Sequence, residues 1–256
     1  MIQFEIIEGV GKITLNRPDK YHAFVREMAL QLQEKLDKCN DNKSVRAILI
    51  TATGKAFCAG QDLSEATDPN GPALTQIVQD HYNPIIRKIR NIEKPIVSAV
   101  NGVAAGAGAS IALCCDIVVA CESATFIQAF SKIGLIPDSG GTFFLPRLIG
   151  MQKAAALMMT AEPVSAKDAE KMGMIYKVFS DESFEQESWQ LVSKLADMPT
   201  KGLGLTKRLL NASYSNNLEE QLDMEDKCQT IAGNTADFKE GIEAFFEKRI
   251  PNFKGE

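Results

Sequence analysis

The stretch GLIPDSGGTFFLP, residues 134–146, places one carboxylate, Asp138, between a proline and a pair of glycines in otherwise apolar company. Such a carboxylate has two physical uses. It can cap a helix opening near Gly140, because Asp is a favoured N-cap. Or, with its pKa lifted by an apolar pocket, it can take up and return a proton near neutral pH. Two further turns are built from small residues, KAFCAGQDL at 55–63 and NGVAAGAGAS at 101–110. Small side chains let backbone N–H groups approach a ligand closely. The run 102–113 is expected to open a helix, whose first N–H groups lack intrahelical partners and favour negative charge. Two such turns aimed at one point would form an oxyanion hole; tight packing of helix on strand explains the same composition equally well. Neither run is a dinucleotide or P-loop fingerprint. Asp62, a second acid, reads as a residue that stabilises its turn.

The elements that must position these turns follow from periodicity. Ile2, Phe4 and Ile6, then Ile13 and Leu15, alternate about Gly9 and Gly11, which predicts a hairpin. Met28, Leu32 and Leu36 recur every four residues and predict an amphipathic helix over 26–39. Apolar runs predict strands at 45–51, 96–100 and 116–120. The polar stretch 64–73, with two prolines and a glycine, predicts a mobile loop, followed by a helix over about 74–91. Strands alternating with helices give an α/β core. From about 150 the pattern is helical only, ending in the apolar stripe Phe238, Ile242, Phe245 and Phe246, which must be buried against the core or another subunit. Trp189 is expected in the core.

Composition narrows the function classes. A net charge of −5 with no long basic run argues against nucleic-acid binding. No run of about 18 apolar residues predicts a membrane span, and the first residues do not read as a signal peptide. The six cysteines lack zinc spacings and read as buried free thiols of a reducing cytosol. With only two histidines, a histidine-rich metal site is not expected.

Three segments in order, AFCAGQDL, KPIVSAVNGVAAGAGASIALCCDIVVA and GLIPDSGG, resemble the enoyl-CoA hydratase/isomerase (crotonase) superfamily, and the likeness extends to the tail EGIEAFFEKRIPNFKG. The resemblance implies a spiral of ββα repeats over 1–195 that binds acyl-CoA, and a C-terminal helical region over 196–256 that builds homotrimers or dimers of trimers. It implies an acyl-CoA thioester substrate, no cofactor beyond the CoA of the substrate, no metal, and no nucleic-acid or membrane partner. By position, the oxyanion N–H groups belong to Gln61 and Ala107. CoA is expected along Arg17, Lys20, Ala23, Ala56, Cys58, Ala59, Gln61, Asp62 and Leu63, with Lys248 contributed by a tail helix.

The two glutamates that hydratases of the family place around a water correspond here to Ser110 and Phe130, which are instead expected to line the acyl pocket with His81. His81 also reads as an ordinary surface histidine of its helix. Loss of both glutamates argues against hydration. Isomerisation needs one base, and Asp138, among Phe130, Ile136, Phe143 and Phe144, is the acid available for it. The segments FSKIGLIPDSGGT, YNP and KGLGLTKRLLN resemble more narrowly the isomerases of phenylacetate degradation, which act on a ring-1,2-epoxide of phenylacetyl-CoA and on 3-enoyl-CoA thioesters. The alternatives are a Δ3,Δ2-enoyl-CoA isomerase or enoyl-CoA hydratase of fatty-acid oxidation, an aryl-CoA dehalogenase with Asp138 as nucleophile, and a non-catalytic acyl-CoA-binding protein.

Overall fold

A computed structural model covers residues 1–256. The chain opens with a hairpin, β1 (Ile2–Ile7) and β2 (Val10–Leu15), turned by Glu8 and Gly9 at positive φ, and continues into helix α1 (Arg26–Asp41). Three strand pairs follow. β3 (Ala47–Ala52) leads to β4 (Ala56–Cys58) and then to the short helices α2 (Leu63–Ala66) and α3 (Leu74–Gln76), a π-helical turn (Ile77–Tyr82) and α4 (Asn83–Asn91). β5 (Ile96–Val100) leads to β6 (Val103–Ala105) and helix α5 (Ala107–Leu113). β7 (Ile117–Cys121) leads to β8 (Thr125–Ile127), a 3-10 turn (Ala129–Ile133) and helix α6 (Gly141–Ile149).

In each pair the first strand joins one sheet and the second strand joins another. The larger sheet runs β1-β2-β3-β5-β7-β10, parallel from β2 onward, and the smaller runs β4-β6-β8-β9, with β4, β6 and β8 mutually parallel. Three successive strand–strand–helix units stepping one strand along two sheets make the spiral that the family resemblance implies. β5 is buried throughout and β3 nearly so, because helices cover both faces of the parallel sheet.

The tail holds α7 (Met151–Thr160), β9 (Val164–Ser165), α8 (Ala166–Lys171), β10 (Lys177–Phe179), α9 (Phe184–Asp197), α10 (Thr200–Ala212), α11 (Leu218–Gly233) and α12 (Ala236–Glu247). The helical-only expectation beyond 150 is therefore corrected: β9 pairs with β8 and β10 with β7, closing one edge of each sheet. Strands of two or three residues are too short to show a period. The expected boundary after 195 falls in the last turn of α9, two residues before its end. The first residues of the segment 64–73, expected as loop, are helical. α2 occupies its start, and Glu65 is fixed by the backbone N–H of Arg26 at 3.0 and 3.1 Å.

A buried ion cluster ties the tail to the core. Asp116, at the entry of β7, accepts from Arg90 of α4 at 3.0 Å and from Lys207 of α10 at 2.8 Å. Burial lowers the Lys207 pKa, an effect that the Asp116 carboxylate opposes. Trp189 packs partly buried against the core, and all six cysteines are buried free thiols, with Cys58 pushed up to about 12 by desolvation. The α12 stripe remains open on the protomer: Phe238, Ile242, Phe245 and Phe246 are all exposed.

Candidate active site

The three glycine-bearing turns leave the carboxyl ends of three adjacent parallel strands, β4, β6 and β8. That is where α/β folds gather ligands. The turn 59–62 lies alongside the segment 21–24: Ala59 N–H donates to the Tyr21 carbonyl at 2.9 Å, Phe24 N–H to Gly60 at 2.7 Å and Asp62 N–H to Phe24 at 2.8 Å. Phe24 thus takes both bonds flanking Gln61, so the Gln61 N–H faces away from it. The Gln61 side chain is held at both ends, by the Tyr82 hydroxyl donating to Oε1 at 2.7 Å and by Nε2 donating to Glu65 at 3.0 Å.

Glycine is required where this turn meets the next. Gly60 has φ +93, and a Cβ there would lie 3.0 Å from the Ala105 carbonyl and 3.4 Å from the Ala107 nitrogen. Gly106, φ +53, precedes Ala107, the first residue of α5, whose N–H has no intrahelical partner. Each expected donor amide follows a glycine at positive φ, and the two turns are in contact. Gly102 and Gly108 make the approach possible, since a Cβ on either would fall within 2.5 Å of the Lys55 or Cys58 carbonyl.

The third turn carries Asp138. A helix-capping role is corrected by the geometry. The N-cap of α6 is Gly140 at φ +73, without a side-chain cap, and it is the Asp138 main-chain carbonyl that accepts from Gly141 N–H at 2.8 Å. The Asp138 carboxylate has one neighbour within hydrogen-bond reach, the Ser139 hydroxyl, which donates to Oδ1 at 2.9 Å. Burial raises its pKa, and the Ser139 hydrogen bond opposes that shift without cancelling it. Burial raises the Tyr82 hydroxyl pKa first, and the negative charges of Cys58, Asp138 and Glu65 push it in the same direction. Phe144 fixes the turn from behind: its ring would clash with a Cβ at Gly140, and the Arg90 guanidinium stacks 5.5 Å from its centroid.

A pH effect on stability follows. Because the folded-state pKa of Asp138 lies above its unfolded value, ionising the group costs stability, and the cost is fully present above the folded pKa. Asp138→Asn removes it. The variant's melting temperature should exceed the wild type's at pH 7, with the gap shrinking as pH falls toward the ordinary aspartate range. A gap that stays constant from pH 7 to pH 4 would show that burial does not strain this carboxyl.

The other expected residues divide. Lys20, Ala59 and Leu63 are exposed beside the first two turns, whereas the side chains of Ala23, Ala56 and Cys58 are buried and leave only backbone to a ligand. Arg17 is already engaged, paired with Asp62 at 2.7 Å and donating to the Ala23 carbonyl at 2.7 Å, so it braces the turn rather than offering a free cation. Asp62 caps α2 by accepting from Ser64 N–H at 3.0 Å, and its pairing with Arg17 holds the carboxyl below its usual range against the effect of burial. Lys248, at left-handed φ, ends α12, an element that packs on α11. Ser110 and Phe130 are buried beside the turns; Phe130 lies 3.9 Å from a Cβ placed on Gly106.

His81 corrects the surface expectation. It is 1% exposed, and neither ring nitrogen has a partner. It stands four residues from the buried Ile77 and Ile85, so its ring falls on the inward face, and burial lowers its pKa. Tyr82, Glu65 and Gln128 carry parts of the site that residue type alone did not flag. For Tyr82, the aromatic residue ahead of Asn83-Pro84 was the available signal.

The sequence matches the family model described as enoyl-CoA hydratase/isomerase over residues 5–256. It is 47% identical, over 97% of this chain and 96% of the relative, to the 1,2-epoxyphenylacetyl-CoA isomerase of Escherichia coli K12. It is 41% identical, over 99% of this chain and 98% of the relative, to a Rhodobacter capsulatus protein named "Probable enoyl-CoA hydratase". The crystal structure of a Mycobacterium abscessus protein assigned to the enoyl-CoA hydratases/isomerases superposes with a TM-score of 0.95 at 33% identity, covering 100% of both chains.

Proposed function

The chain belongs to the enoyl-CoA hydratase/isomerase family, and from that premise we propose that it isomerises acyl-CoA thioesters with Asp138 as the single acid/base, acting on the ring-1,2-epoxide of phenylacetyl-CoA and on 3-enoyl-CoA thioesters. The observation that carries this reading is the carboxylate inventory of the three turns. Asp62 is consumed by Arg17 and a helix cap, and Asp138 alone is part-buried, raised in pKa and free of a cation.

In a 3-enoyl thioester the Asp138 carboxylate removes a proton from the carbon between carbonyl and double bond. The electron pair moves onto the thioester oxygen, which the Gln61 and Ala107 N–H groups receive. The same carboxyl returns the proton two carbons further on, and the double bond comes into conjugation. Atoms balance and no water enters. A raised pKa suits a group that must give the proton back. Activity per bound substrate should therefore fall on the acid side at a pH above that of an ordinary aspartate.

CoA is expected along 56–63 with Lys20 beside it. The exposed α12 stripe supports assembly into a homotrimer or a dimer of trimers, in which Lys248 could reach a neighbour's CoA. Hydration is the second reading, favoured by the Rhodobacter relative's name and opposed by Ser110 and Phe130 in place of carboxylates. The test is turnover of a 3-enoyl-CoA and of the ring epoxide, followed by the absorbance of the conjugated products. Turnover of both is expected. Turnover of the straight-chain ester alone would support the fatty-acid isomerase instead, and binding without any turnover would leave a non-catalytic acyl-CoA-binding protein.

A further inference from the structure

Two buried side chains next to Asp138 have polar atoms that nothing in the protein satisfies. Ser110 is 1% exposed and Gln128 5% exposed, and neither Ser110 Oγ nor Gln128 Oε1 has a hydrogen-bond partner. Leaving such atoms unpaired forfeits their hydration without replacing it. Both bracket one point on the Asp138 turn: a Cβ at Gly141 would meet Ser110 Oγ at 2.8 Å, Pro137 Cβ at 3.3 Å and Gln128 Oε1 at 3.7 Å. Ser110 lies three residues after the donor Ala107, on the same face of α5. Gln128 directly follows Ile127, whose carbonyl anchors the Gly106 N–H at 2.9 Å. The pair therefore lies against the Asp138 turn, one helical turn from the Ala107 donor and beside the strand end that anchors Gly106.

We propose that Ser110 and Gln128 form a polar subsite that binds an oxygen atom carried by the acyl group, so that the enzyme selects thioesters oxygenated close to the reacting carbons. This placement rests on the isomerase reading, but the recognition itself does not require turnover. The serine hydroxyl both donates and accepts, and the carboxamide presents a donor or an acceptor whichever way it is turned. A purely hydrocarbon acyl chain would bury both groups unsatisfied; an oxygen at this point satisfies them. Small Ser110 also leaves the volume that a longer residue would fill.

The test is calorimetric binding of two non-reacting probes, phenylacetyl-CoA and (2-hydroxyphenyl)acetyl-CoA, to the full-length wild type and to Ser110→Ala and Gln128→Leu. Wild type should bind the hydroxylated ester roughly 5- to 10-fold more tightly, the effect of one well-formed buried hydrogen bond. Each variant should bring that ratio toward one, with a far-UV circular-dichroism spectrum matching wild type to report that it is folded. Equal affinities in wild type, as a trapped water bridging the two side chains would produce, overturn the proposal. So does a preference that survives in both variants. An intact preference in a protein that isomerises nothing would overturn the proposed function and leave the subsite standing; failure to bind either ester overturns both.

Discussion

Replacing Asp138 by asparagine is expected to lower kcat for isomerisation of a 3-enoyl-CoA on the order of 10²- to 10⁴-fold, the range for loss of a positioned acid/base, with KM close to the wild-type value. Asparagine matches aspartate in shape, and its carbonyl oxygen can still accept the Ser139 hydroxyl that now reaches Oδ1 at 2.9 Å. The turn, held by the Gly141 N–H on the Asp138 carbonyl and by Phe144 against Gly140, does not depend on the carboxylate. What disappears is the capacity to take a proton. No other acid of the three turns can stand in, because Asp62 is bound to Arg17. The variant should also be the more stable protein at neutral pH, so activity and stability move in opposite directions, as expected where burial of a carboxylate serves chemistry. A loss of less than about 10-fold would remove Asp138 from the proton path.

Gly60→Ala should cost about 10²- to 10³-fold in kcat, comparable to losing one oxyanion donor. The methyl group would sit 3.0 Å from the Ala105 carbonyl and 3.4 Å from the Ala107 nitrogen, both backbone atoms that cannot rotate aside, and φ +93 strains any L residue. Either turn must move, and both donor amides lie within a residue of the contact. Gly106→Ala is the informative comparison. It carries similar φ strain at +53, but its nearest neighbour is the Phe130 ring at 3.9 Å, a side chain that can yield. Gly60→Ala should therefore be the more damaging of the two on thioester turnover. Equal effects would mean that backbone strain alone, not the meeting of the two turns, governs the site.

The meeting of the first two turns was legible in the chain because it is a matter of backbone approach. Glycines at 60, 102 and 108 mark the close approach of one turn to the next, and small residues are visible in any sequence. Apolar runs revealed β3, β5 and β7 to within two residues, since a strand buried on both faces is hydrophobic throughout. The second sheet was not legible. β4 and β6 hold three residues each, less than is needed to show a period, and their existence depends on pairing with each other and with β8. His81 was misread for a different reason: residue type was weighed over position, although it stands four residues before Ile85 and eight before Ile89, both buried, a spacing that already turns the ring inward. Whether Asp138 caps α6 was undecidable from spacing, because Gly140 at φ +73 takes that place. The partners that hold Gln61, namely Tyr82, Glu65 and Phe24, come from three separate segments and meet only in the fold.

On the proposed mechanism Asp138 moves a proton within the substrate and adds nothing to it, and the mass of the product formed from a 3-enoyl-CoA by wild type and by Asp138→Asn shows whether it does. A conjugated product of unchanged mass is expected from wild type and almost none from the variant. A product heavier by one water, or an isomer formed by the variant at the wild-type rate, would contradict that mechanism.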